Sequence, residues 1–170
     1  MISYDLFINI QKYALAHAES SASHYQSRNQ NTDMIFTNCF NGKVAEWSNY
    51  YSLLDAGYIV EKPPCMLIFS QANKSHDADL IILGKDKLVY DDPKHIHIKS
   101  VTLETFNKWG ASFLIEKNNK LVNNPDANHF YSVMLQQQLT HYVFHKWICT
   151  LDVKYGAPKM NLPTKLAVYL

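Results

Sequence analysis

Two short segments, 77–82 (Asp-Ala-Asp-Leu-Ile-Ile) and 95–99 (His-Ile-His-Ile-Lys), alternate polar and apolar residues with a period of two. That period belongs to β-strands, in which successive side chains point to opposite faces. In the first segment Ala78, Leu80 and Ile82 share one face, and Asp77 and Asp79 share the other. In the second, Ile96 and Ile98 lie together, opposite His95, His97 and Lys99. If the two strands pair, Asp79 comes within about 5–8 Å of His97 or Lys99, the span of direct and diagonal cross-strand neighbours. A carboxylate, an imidazole and an ammonium then converge on one side of a sheet. The reading requires Asp79 and Lys99 to lie on the same side of the sheet and within side-chain reach of each other.

The flanking sequence supplies helices first and strands afterwards. Leu6, Ile10, Tyr13 and His17 recur at helical spacing within 4–25, and Asp5 stands near the start. Residues 27–33 are polar and rich in turn formers, which predicts a loop. Val44, Trp47, Tyr51 and Leu54 form one stripe of a second helix over 42–56, with Asn41 as its cap and Gly57 at its C-terminal turn. Beyond Gly57, β-branched and aromatic runs predict strands at 58–60, 65–69, 78–83, 95–101 and 112–116. Gly84-Lys85-Asp86 and Asp91-Asp92-Pro93 supply turns between the third and fourth of these, which makes that pair antiparallel, with or without a short strand at 88–90. The runs at 130–135 and 141–150 suit strands, and 132–146 also fits a helix. With no repeat and no linker, the 170 residues form one α/β or α+β domain around a single core.

Charge narrows the function classes. The net charge of +1 excludes a protein that binds nucleic acid by bulk cationic attraction. Residues 1–116 nevertheless sum to −3 and residues 117–170 to +4, the latter through Lys117, Lys120, Lys146, Lys154, Lys159 and Lys165. Arg28 is the sole arginine, so widespread bidentate clamping of guanines is excluded. The three cysteines, Cys39, Cys65 and Cys149, match neither a disulfide framework nor a zinc spacing, and read as reduced thiols. No apolar run reaches the roughly 20 residues that span a bilayer, and the first ten residues do not resemble a signal peptide. The expectation is a cytoplasmic protein with no membrane partner.

Other metal motifs fail on their spacing. His95-x-His97 lacks the acid three or four residues on that a cupin needs, Glu104 being too late. His141-x3-His145 encloses Tyr, Val and Phe, which suit a strand, and has no adjacent glutamate. Tyr50, Tyr51, Trp109 and Trp147 serve either as core or as base-stacking groups, and the sequence leaves that choice open.

The order of the polar residues resembles the PD-(D/E)XK nuclease superfamily, the restriction-endonuclease-like fold of many restriction and phage endonucleases. Residues 42–46, Gly-Lys-Val-Ala-Glu, and the segment on to Tyr58 are similar to its first core helix, with the acid at Glu46. Segment 77–82 is similar to its second strand, with Asp79 in the metal position and Asp77 as a substitute. His97-Ile98-Lys99 is similar to its x-Lys strand, and 109–114 to the strand that follows in several phage-type members. The resemblance covers 40–118 and departs at His97, where the family carries an acid. It implies a restriction-endonuclease-like mixed β-sheet flanked by helices, with an added N-terminal helix (1–33), a core (40–118) and C-terminal strands with a basic flank (119–170). It further implies a Mg²⁺- or Mn²⁺-dependent DNA endonuclease of a bacterial or phage-infected cell, with a homodimer as one form. Asp79, His97, the Ile98 carbonyl and Glu46 would hold the metal, and Lys99 would orient or deprotonate water. Histidine in place of the acid favours Mn²⁺ or a softer ion. The alternative is a catalytically inactive nucleic-acid-binding protein on the same fold.

Overall fold

The computed structural model describes residues 2–25, 31–67, 78–160 and 162–170. Helix α1 (Tyr4–Tyr25) falls where the spacing predicts it, and buries Ile10, Ala14 and Ala18, each four residues apart. Helix α2 (Thr32–Asp55) starts ten residues earlier than the sequence suggests. Its cap is Asn31, whose side chain accepts a hydrogen bond from the Met34 N–H at 2.8 Å, so Asn41 lies inside the helix. Of the expected loop at 27–33, Thr32 and Asp33 belong to α2 and residues 27–30 lie outside the described residues. Val44 is buried as expected, but Leu53 rather than Leu54 occupies the core.

Strands β1 (Tyr58–Val60), β2 (Leu80–Lys85), β3 (Leu88–Val101), β5 (His129–Gln138) and β6 (His141–Cys149) make one sheet in the order β1-β2-β3-β5-β6. Every neighbour is antiparallel except β3 and β5, which run parallel. A parallel pair needs a long crossover. Here it comprises α3 (Leu103–Trp109), β4 (Ser112–Glu116) and α4 (Lys120–Asn123). β4 pairs not with the main sheet but with β7 (Lys165–Tyr169), an antiparallel ribbon. The architecture is therefore mixed α/β, as expected in class.

The sheet separates two apolar layers. On one face Leu80, Ile82 and Ile96 pack with Leu53 of α2, while Met134 joins Val44, Ala45 and Phe40 beneath α1. On the other face Val101, Tyr131 and Val133 pack with Phe113, Ile115 and Val168 of the β4–β7 ribbon. Buried Asn49 ties α2 to the sheet by donating to Ser132 Oγ at 2.6 Å.

The β2–β3 hairpin departs from expectation. Its turn is Asp86-Lys87, both at positive φ (49° and 71°), the geometry of a tight two-residue hairpin loop. Asp91-Asp92-Pro93 makes no turn: β3 runs straight through, and the register slips between Ile82↔Lys94 and Gly84↔Val89. That irregularity is where a strand tolerates Pro93, which has no N–H to give to a ladder. Residues 65–67 are not in a strand, and 68–69 lie outside the described residues.

Gly84 sits where the strands come too close for a side chain. A Cβ there would lie 2.0 Å from the Leu88 carbonyl oxygen, a backbone atom that cannot swing aside. Gly84→Ala is expected to destabilise the protein by about 2 kcal/mol or more, measured by urea unfolding. The Gly42→Ala control, with nothing within 4 Å of the new methyl, should lose nothing.

Candidate active site

The candidate site forms where β2 stops and β3 continues. The last β2–β3 pair at that end is Leu80↔Ile96, so residues 97–101 of β3 have no β2 partner. Asp79, at the bend just before β2, fills the first vacancy. Its N–H donates to the Ile96 carbonyl at 2.9 Å, and its Oδ2 accepts from the Ile98 N–H at 2.6 Å. A residue's N–H and C=O leave a strand on the same side, so the Ile98 carbonyl also faces this open edge. Asp77 lies outside the described residues.

Helix α2 brings two more charges to the edge. Lys43 and Glu46 stand three residues apart on it, one turn of neighbours, and the Lys43 Nζ donates to Glu46 Oε2 at 2.5 Å. Both are largely sheltered, with 15% and 13% of their side chains exposed. Tyr13 of α1 closes the group from behind, its ring centre 5.6 Å from the Lys43 Nζ.

Charge couples these groups. Burial, then the nearby Asp79 carboxylate, raises the Glu46 pKa to about 7 against the pull of Lys43 and Lys99. Burial also raises Asp79, offset by the Ile98 N–H and by the charges of Lys99 and Lys43. Lys43 is raised because Glu46, through charge and hydrogen bond, outweighs a burial penalty that acts to lower it. Lys99 is lowered by burial, with Asp79 the strongest of the charges that hold its proton. Among the described residues no ion pair within 4 Å joins Lys99 to either acid. Its Nζ instead lies 5.5 Å from the centre of the Tyr131 ring, on the face of the β4–β7 ribbon.

His97 does not join this group. Parallel pairing sets His95 opposite His129, and the rings of His95 and His129 stack with centroids 4.5 Å apart. His97 Nε2 is hydrogen-bonded to His129 Nδ1 at 2.9 Å. Burial, then the charge of Lys99 and the neighbouring histidines, depresses the His97 pKa to about 3, so the ring is neutral.

Of the residues expected from sequence, Glu46, Asp79 and the Ile98 backbone meet at the open edge; Lys99 acts on both acids through its charge while its Nζ lies on the ribbon face, and His97 is turned to His129. Lys43 and His129 are the residues that the sequence reading missed. Lys43 carries a local signal, the spacing of three to Glu46. His129 carries none, because only the parallel register puts it beside His97. Among the described residues no three His, Cys, Asp or Glu side chains gather at metal-binding spacing. The other His pair, His141 and His145, lies exposed on β6. No helix of the described residues is long and apolar enough to cross a membrane. No protein-family model, curated protein or solved structure matches the chain.

A histidine whose pKa falls on folding makes the unfolded chain the better proton acceptor. Its contribution is fully present above the unfolded value of 6.5 and is lost as pH drops toward about 3. The limiting slope is about 1.4 kcal/mol per pH unit. Glu46, raised on folding, acts in the opposite sense, so the informative comparison is with a variant. Between pH 7 and pH 5, wild type should lose about 1–2 kcal/mol more than His97→Gln in urea unfolding. Equal losses would mean that His97 is protonated in the fold.

Proposed function

We propose that the protein is a metal-dependent DNA endonuclease with a PD-(D/E)XK-like centre at the open edge of β3. The observation that carries this reading is the approach of two sheltered carboxylates at the open edge, Glu46 and Asp79, with Asp79 raising the proton affinity of Glu46 and the half-buried Lys99 acting on both through its charge. The order helix, three antiparallel strands, crossover and parallel strand, with the acid at the start of β2 and the lysine on β3, supports the same assignment.

The donor set suits a hard cation. Mg²⁺ keeps several waters and needs only one or two carboxylates besides the substrate phosphate, and Glu46, Asp79 and the Ile98 carbonyl would hold it. His97, turned to His129, is not among these ligands, so the site's preference follows its hard oxygens. When bound, the ion supplies positive charge that acidifies the attacking water and offsets the phosphate. Lys43 holds Glu46 in place and opposes the rise in its pKa. Lys99, a half-buried cation with no direct carboxylate partner among the described residues, would orient the water or a phosphate oxygen. The second reading, a DNA-binding protein without catalysis, is favoured by the lack of a third acidic ligand among the described residues.

A plasmid-nicking assay with Mg²⁺ or Mn²⁺ separates the two. Wild type should cut, and Asp79→Ala, Glu46→Ala and Lys99→Ala should each lose about a hundredfold or more in rate. His97→Gln should keep most of the activity. Cutting that survives in both Asp79→Ala and Lys99→Ala overturns the assignment. Salt-sensitive binding without cutting leaves the second reading.

A further inference from the structure

Lys99 is also the floor of a cleft that the proposed chemistry leaves unused. A cavity of about 350 Å³ opens on the β4–β7 side of the sheet, from Ile98 and Lys99 to walls formed by Trp109, Ser112, Lys159 and Tyr169. Its volume is at the lower end of small-ligand sites. No acidic residue lines it, and among the described residues neither Lys99 nor Lys159 is paired with a carboxylate within 4 Å. The Lys159 Nζ sits 5.6 Å from the centre of the Trp109 ring and 5.2 Å from that of Tyr169, and the Lys108 Nζ is 5.1 Å from Trp109. Tyr169 is held in place at its hydroxyl, which accepts from the Lys159 N–H at 3.0 Å and donates to the Ala157 carbonyl at 3.2 Å.

Two aromatic walls, with Lys159 held over both rings, Lys99 below and no carboxylate within 4 Å of either lysine among the described residues, recognise a flat π-system joined to an anion. A nucleotide has that chemistry, and base stacking on an aromatic ring is indifferent to sequence. A base inside a duplex offers its faces only to its neighbours, so the occupant must be unpaired. We infer that the cleft takes one unpaired nucleotide of a DNA strand, stacked at Trp109 with its phosphate between Lys159 and Lys99. This rests on the nuclease reading, which it sharpens: the substrate is single-stranded or locally opened DNA, fed to the open edge of β3 from the ribbon side.

The experiment is fluorescence anisotropy with a fluorescein-labelled oligothymidylate and a labelled duplex of equal length, in EDTA so that no strand is cut. Wild type should bind the single strand more tightly than the duplex. Trp109→Ala should weaken single-strand binding about tenfold or more, with most of it restored in Trp109→Phe. Lys159→Ala, a change at an exposed side chain that leaves the backbone bond to Tyr169 intact, should weaken binding and lower the salt slope by about one. Unchanged affinity in both Trp109→Ala and Lys159→Ala overturns the inference, as does equal binding of duplex and single strand that is indifferent to Trp109. Cleavage is scored separately with Mg²⁺. A wild type that cuts while Trp109→Ala binds and cuts normally removes the cleft and leaves the nuclease. A wild type that binds through Trp109 and never cuts removes the nuclease and leaves the cleft.

Discussion

The hydrogen bond from the Ile98 N–H to the Asp79 carboxylate organises the rest of the site. Sheet pairing between β2 and β3 ends at Leu80↔Ile96, and a strand that loses its partner exposes amide groups that need other acceptors. Asp79 replaces the missing strand for one residue: its own N–H continues the ladder to Ile96 and its side chain takes the Ile98 N–H. The carboxylate is thereby fixed at the place where the sheet is open. Its position follows from backbone satisfaction as much as from any later chemistry, which is why Lys43, Glu46 and Lys99 can be arranged around it as around a rigid post.

The charges around that post are unequal in how well they are paired. Two carboxylates and two lysines sum to zero, yet only Lys43 and Glu46 touch. Burial alone would drive each acid toward its neutral form. For Asp79 the Ile98 N–H and the two lysines oppose that drive, and for Glu46 the neighbouring Asp79 reinforces it. Lys99 is left with distant partners and the face of Tyr131. Imperfectly compensated buried charge is costly, and a fold selected for stability alone has simpler ways to fill this volume. The same imperfection leaves room for an external cation near the acids and an external anion near Lys99.

What the sequence made legible was whatever depends on local period. The alternation at 80–82 and 95–99, the first helix and the second helix from residue 42 onward all have the expected form, because period-two and period-3.6 patterns are written residue by residue, whereas Asp79 lies in a bend before the strand expected to hold it. The start of α2 was illegible because 32–41 carries polar residues on the exposed side and a second asparagine, Asn41, that imitates a cap. Asp91-Asp92-Pro93 has every feature of a turn and became an irregularity inside β3, since the hairpin had already turned at Asp86-Lys87. β7 and α3 were missed as short elements whose existence depends on packing: β7 on pairing with β4, and α3 on the crossover that joins β3 to β5. In the candidate site, order and spacing single out Glu46, Asp79 and Lys99, and the structure brings Glu46 and Asp79 to one edge of the sheet.

The fate of His97 shows why residue order alone misjudged one member. Alternation sets its ring on the same face as Lys99, and a sequence reading has no means to see what else occupies that face. Parallel pairing with β5 supplies His129, and two imidazoles that hydrogen-bond and lie 5.2 Å apart at their centres satisfy each other without a cation. A neutral His97 gives nothing to hold the Lys99 proton, so that task falls to Asp79 and Glu46 alone. The two acids therefore help to hold the Lys99 proton, and in the proposed function they would also present hard oxygens to a dication. With its ring paired to His129, His97 leaves the Lys99 charge directed toward the ribbon-side cleft.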